Sequence, residues 1–397
     1  MKSRKIGTIY SIFLTLVITC IAGILCSCSG HNVEKQLSQA ESFIIERPDS
    51  TVALLVNMDT TGMSESQRAR QELLYLYTQL VYGYPILLDS TAIAEGDKVF
   101  AGGLDENKIK WLIVKSVEAK RTGNPVARLE LLKDAEFLAI QFNDSIDLGM
   151  TYLFLSNVYE QGFNGTVSRY YADKAIDIFK GLNWQNKIRE ARMAVVGAYV
   201  TQRDYKTALD SIIAMEPEVM ANAHDSFKTY FLDQLARCYD SDGQSRKAIE
   251  IWRTIYDSKN VSANTLAHMA HAYCHINDLD SAYTLIKYAR GLPHNTTDDA
   301  LCLNVEYDIL EKMGRSSELA RIDSLRNMAA TSVMKERRLE ESSLALNLKY
   351  DSAARQAWLD AAKARNHTNI AIFITVLAII ICISFKFRKY VISEIWA

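Results

Sequence analysis

The chain is short of the residues that punctuate a β-fold. Of 397 residues only 5 are proline and 17 glycine, too few for a sandwich or propeller that turns every ~8–12 residues. After Gly314 neither residue occurs at all. A dominant charge is missing too. The balance of 45 basic against 47 acidic residues, formally −2, gives no electrostatic reason to expect nucleic-acid binding. The catalytic signatures G-x-S-x-G, H-E-x-x-H, the P-loop and G-x-G-x-x-G are absent, so the chain reads as non-enzymatic and without a cofactor. What is present is 49% apolar residues, ordinary for a folded protein. With so few breakers, that content points to helices.

Two apolar stretches lie near the ends. Lys2, Arg4 and Lys5 precede an apolar run that closes in Leu25-Cys26-Ser27-Cys28. This resembles a bacterial lipobox, with residues 1–27 as the signal peptide and Cys28 as the lipid-bearing residue. Residues 369–387 form the second run, and Ile370 to Phe385 carries no charge. Its length is near the ~20 residues a spanning helix needs. Lys386, Arg388 and Lys389 follow it, so the expectation is a transmembrane helix with 388–397 as a short cytoplasmic tail. Together the two ends lead to an expected inner-membrane location, with the bulk of the chain in the periplasm.

Of seven cysteines, only Cys238, Cys274 and Cys302 lie between these segments. Three is odd, so no complete disulfide framework can form. They read as small buried hydrophobes, with one pair among them as the alternative.

The middle of the chain repeats. Leu266, Met269, Ala270, Tyr273, Ala282, Ile286 and Ala289 stand 34 residues after Leu232, Leu235, Ala236, Tyr239, Ala248, Trp252 and Ile255. Tyr152, Leu155, Ser156, Tyr159, Ala172 and Ala175 share that internal spacing, as do Val195, Tyr199, Ala208, Ile212 and Met215, but these units lie 40 apart. The pattern resembles the tetratricopeptide repeat, whose large residue and Tyr sit on one helix and whose Ala sits where that helix crosses its partner. The expected fold is all-α: a tetratricopeptide-like α-solenoid of helical hairpins over 28–330, then a long charged helix over 331–368. Leu339, Leu346 and Ala353 recur every seven residues in that helix, which makes it a candidate coiled coil and homodimer contact.

The whole layout resembles membrane-anchored tetratricopeptide-repeat lipoproteins of gut-type Gram-negative bacteria. The features that carry it are Cys28, Ala40-Glu41 followed by Pro48-Asp49-Ser50, Asp59-Thr60-Thr61-Gly62-Met63-Ser64, the repeats and the late apolar run. The resemblance implies a periplasm-facing protein–protein interaction scaffold, held at the inner membrane by lipid and helix, with a protein or peptide partner. The alternative is a sensory receptor signalling through the span, its cytoplasmic output domain missing or supplied by a partner. Asp-Ser/Thr steps recur in the chain and read first as helix caps. At Ser50, Thr60 and Ser90 they also resemble the O-glycosylation sequon of such bacteria.

The repeat register points Asn157, Glu160, Tyr230, Asp233, Arg237, Asp240, His271, Cys274 and His275 into a concave groove, with Met150, Leu153, Met193 and Gly197. The mixture of apolar and polar side chains suits an extended peptide. His268, His271 and His275 share one side of a helix and are ligand types suited to zinc or copper. A single rigid helix cannot wrap three imidazoles around one ion, and the nearest evident oxygen is Asp278. The expectation is therefore no metal, with these histidines as a polar or pH-sensitive lining.

Overall fold

The computed structural model describes residues 32–337, apart from 85, 87, 89, 103–104, 163, 258–260 and 293–295, together with Thr375. The chain divides into two compact units, Met1–Glu340 and Glu341–Ala397, and the helices below belong to the first. The expected signal over 1–27, Cys28, the rod beyond 337, the span over 369–387 save Thr375, and the tail over 388–397 lie outside the described residues. The inner-membrane location expected from the sequence is overturned: among the described residues no helix is long and apolar enough to cross a membrane.

The described residues form seventeen helices and no strand. They run α1 (32–42), α2 (Pro48–Val56), α3 (Glu65–Val81), α4 (Ser90–Phe100), α5 (Glu106–Arg121), α6 (Pro125–Phe142), α7 (Ser145–Gln161), α8 (Gly165–Gly181) and α9 (Gln185–Thr201). There follow α10 (Tyr205–Ile213), α11 (Glu216–Asn222), α12 (Asp225–Ser241), α13 (Ser245–Asp257), α14 (Ala263–His275), α15 (Leu279–Gly291), α16 (Thr296–Lys312) and α17 (Ser316–Arg337). Helix α17 crosses residue 330, where the sequence suggested the solenoid would end. Successive helices pack as hairpins, α5 on α6, α7 on α8, α12 on α13, α14 on α15 and α16 on α17. Each hairpin leaves an apolar face that only the next can cover, the arrangement of an α-solenoid.

One turn design recurs. A residue just past a helix end, whether within a hairpin or between hairpins, is left-handed: Gly123, Asn143, Asn183, Arg203, Gly243, Asn277 and Gly314 all have φ between 54° and 83°. The N–H of the next residue then reaches back five residues, as in Asp144 to the Ala139 carbonyl (2.9 Å), Asp204 to Tyr199 (3.0 Å) and Asp278 to Tyr273 (3.0 Å). This closes the helix in a Schellman motif. The same aspartates cap the following helix, accepting from the backbone N–H of Asp147 (3.0 Å), Thr207 (3.2 Å) and Ser281 (3.2 Å). Ser50 departs from the capping role read for it: α2 starts at Pro48 with Arg47 at the N-cap, no side chain caps it, and Ser50 sits exposed in its first turn. Thr60 is exposed in the loop before α3, and Ser90 is the first residue of α4.

The change of period has a geometric cause. Helices α7, α8, α9 and α12 have 17 residues, whereas α13, α14 and α15 have 13. Helices α13, α14 and α15 have each lost about one turn of ~3.6 residues. Across the repeats Tyr152, Leu155, Tyr159, Ala172, Ala208, Leu235, Ala236, Ala248, Trp252, Met269, Ala270, Tyr273 and Ala282 are buried. Tyr199 and Tyr239 are half-buried. Cys238, Cys274 and Cys302 are free, buried thiols, so the alternative of one disulfide among them is not realised.

A buried ion network joins the early first helices. Lys110 of α5 lies 3.0 Å from Glu41 of α1 and 3.1 Å from Asp147 of α7. Arg70 of α3 pairs with the other oxygen of Glu41 at 2.7 Å, and the Tyr77 hydroxyl donates to Asp147. Burial alone would favour a neutral Lys110, but the carboxylates of Asp147, Glu41 and Asp144 reverse this and hold its ammonium above the ordinary lysine range. Removing one partner of such a pair strands the other charge. Lys110→Met is expected to cost about 3–5 kcal/mol in urea unfolding followed by circular dichroism. A loss below about 1 kcal/mol would show that the network does not hold these helices together.

Candidate functional site

A cavity of about 500 Å³ opens between α7, α9 and α12, closed at one side by Leu80 to Tyr84 at the C-terminal end of α3. The 40-residue register builds it. Helices α7, α9 and α12 begin at 145, 185 and 225, so equivalent side chains face the same space. Met150, Glu190 and Tyr230 occupy one level, Leu153 and Met193 the next, then Phe154, Ala194 and Gln234, then Asn157 and Gly197. On each helix these positions fall on one stripe. Of the groove residues read from sequence, Asn157, Glu160 and Tyr230 line the cavity, with Met150, Leu153, Met193 and Gly197.

Glu160 is the unusual member. A Cβ on Gly197 would fall 2.4 Å from its Oε1, so the missing side chain at 197 is what admits the carboxylate. No side chain among the described residues bonds to it. Burial pushes its carboxyl up to about 7, against the pull of Lys120 and Arg237. Elsewhere on the rim the charges are answered: Lys187 pairs with Glu190 at 2.6 Å and Arg189 with Glu218 at 2.6 Å. These rim residues escaped the sequence reading, although Glu190 follows from Met150 by the same 40-residue step.

Three expected groove residues are otherwise engaged. Asp233 is buried, accepting from the Trp252 indole at 3.0 Å and pairing with Arg237 at 2.8 Å. Arg237 also donates to Asn264, which donates to Asp298 at 2.6 Å. Cys274 packs into the apolar cluster around Trp252 and Ile286 rather than facing a groove.

The histidines separate. Asp240 of α12 receives His271 Nδ1 on Oδ2 at 3.1 Å and His275 Nδ1 on Oδ1 at 3.0 Å. Ser245 Oγ donates to Asp240 Oδ1 at 2.6 Å. Burial works against the charge on Asp240, but the bonds from His271, Ser245 and His275 overcome it and hold the carboxyl below its ordinary range. His268 does not join them. Burial, with Arg237 and His271 nearby, keeps its imidazole well below the usual histidine range, hence neutral at pH 7. Asp278, read as the nearest oxygen, instead caps α15.

No protein-family model and no curated protein matches the chain. Solved structures do. A Rap protein complexed with competence and sporulation factor aligns with a TM-score of 0.56 at 14% identity, over 82% of this chain and 99% of its own. NprR in complex with its cognate peptide NprX gives 0.55 at 14%, over 81% and 98%. The apo form of the quorum sensor NprR from B. thuringiensis gives 0.53 at 13%, over 80% and 97%. At such identity the likeness is one of fold. The fold is a tetratricopeptide-like α-solenoid.

The proton on Glu160 sets a pH dependence. Its pKa is raised on folding, from an ordinary 4.5 to about 7. In that window the folded chain keeps a proton that the unfolded chain has released, so this group's contribution to stability is lost as pH rises through it. Glu160→Gln is expected to match the wild type at pH 4 and to exceed it by about 1–3 kcal/mol at pH 8. Urea unfolding at the two pH values checks this, and an equal difference at both would contradict it.

Proposed function

We propose that the chain is a non-enzymatic peptide-binding protein that takes an extended segment of a partner into the cavity between α7, α9 and α12. The observation that carries this is the cavity itself, built by equivalent positions of three successive first helices and holding an unpaired carboxylate at Glu160. Apolar side chains such as Leu153, Phe154 and Met193 offer contact area, while Asn157, Glu160 and Tyr230 offer directional bonds. Pockets of this mixture and size suit ligands that are largely apolar with a few fixed polar groups. Glu160 favours a ligand that brings a cation, because a lysine or arginine side chain would give its carboxylate the direct bond that the more distant Lys120 and Arg237 do not make. The likeness to a Rap protein and to NprR, each solved with a bound factor or peptide, supports the same reading.

A random-peptide display library panned against the purified chain tests it. The expected result is a consensus containing a basic residue, bound at least about ten-fold more weakly by Met193→Glu and by Glu160→Gln, a loss of about 1.4 kcal/mol. Both variants should keep the wild-type circular dichroism spectrum. Absence of any consensus, or binding indifferent to both substitutions, would reject the cavity as a peptide site.

A further inference from the structure

We propose that Asp240, His271 and His275 form a binding site for a single borderline divalent transition-metal ion, of which zinc is the type. The donor set is two imidazoles and one carboxylate, the mixture that zinc and its neighbours in the first row take from proteins. The objection that one helix cannot surround an ion does not apply, because the ligands come from two. His271 and His275 stand one turn apart on α14, and Asp240 reaches across from α12. One donor atom from each of the three residues lies within 4.8 Å of the other two.

The spacing is close to what an ion imposes. With bonds of ~2.0–2.1 Å, a tetrahedral ion holds its ligand atoms about 3.3 Å apart. The Nδ1 atoms of His271 and His275 lie 3.1 and 3.0 Å from different oxygens of Asp240. Small side-chain rotations therefore convert a shared hydrogen-bond cluster into a coordination shell. Coordination through Nδ1 leaves each ring's remaining proton on Nε2. The two rings already pack together, centroids 4.0 Å apart.

The surroundings favour a cation. Asp240 lies in the last turn of α12 and His275 in the last turn of α14, with His271 one turn before it, so the carbonyl ends of two helices converge there. The Asp240 side chain is only 7% exposed, and Ser245 fixes one of its oxygens. The imidazoles are 34% and 41% exposed, which leaves a route from solvent and room for a further ligand. Neighbouring candidates are excluded by their own bonds. Cys274 is buried in the apolar cluster, and Asp278 caps α15.

The test is metal titration of the full chain after treatment with a chelator. Calorimetry with Zn²⁺ is expected to give one equivalent per chain, and Co²⁺ to give visible d–d absorption that Zn²⁺ bleaches. His271→Ala and His275→Ala should each abolish the single-equivalent uptake while keeping the wild-type circular dichroism spectrum. Ser245→Ala, which frees the oxygen of Asp240, should weaken it roughly ten-fold. No stoichiometric uptake of either ion overturns the proposal. So does uptake that survives the double variant His271→Ala/His275→Ala. If the histidine variants lower the melting temperature while the wild type takes up no metal, the cluster is a hydrogen-bonded pin between α12 and α14, and the proposal fails.

Discussion

From α7 to α15 this solenoid depends on helices approaching over residues no larger than alanine. Ala172, Ala208, Ala236, Ala248, Ala270 and Ala282 are fully buried at such crossings. Where the approach is closer still the residue is glycine: a Cβ on Gly149 would lie 2.7 Å from the Phe179 ring, and one on Gly165 would lie 2.5 Å from the Ala198 carbonyl oxygen. Close crossing lets the large side chains interdigitate beside it, so Phe179 and Trp252 are almost completely buried. It also fixes how far each first helix stands from the next, and thereby the width of the cavity that α7, α9 and α12 share.

The helical hairpins were legible because that constraint writes itself into sequence as a small residue at a fixed distance from a large one. The aspartates at the turns, Asp144, Asp204 and Asp278, were legible for a similar reason, since a cap is a local bond. The failures have the opposite origin. Asp233, Cys274 and the three histidines were assigned to one face by period alone. Period says which way a side chain leaves its own helix and nothing about what the neighbouring helix brings to meet it. Trp252 claims Asp233, and Asp240 collects only the two histidines whose rings it can reach. Ser50 was read as a cap because its residue type fits, while Pro48 sets the helix start two residues earlier.

Glu160 and Asp240 are equivalent residues two 40-residue units apart. Their fates differ because the residues that face them differ. The register position that carries Gly197 opposite Glu160 carries His271 opposite Asp240, with His275 one turn further on, so that carboxylate is covered by donors and stays ionised. Glu160 faces Gly197, which offers it space and no bond. One position of the repeat thus yields an answered charge at one level and an unanswered one at another. The peptide-binding and metal-binding readings grow from these two outcomes.

The turns have a consequence for how such a chain can change over time. The path from one helix to the next is held by backbone bonds and a left-handed residue, and this chain fills that position with Gly, Asn or Arg without altering the path. Selection on the turn therefore acts on a dihedral angle more than on a residue type. Repeats built this way can drift almost free of their original letters while every helix stays in place. That is how a fold can be held in common with proteins that share only 14% of its residues.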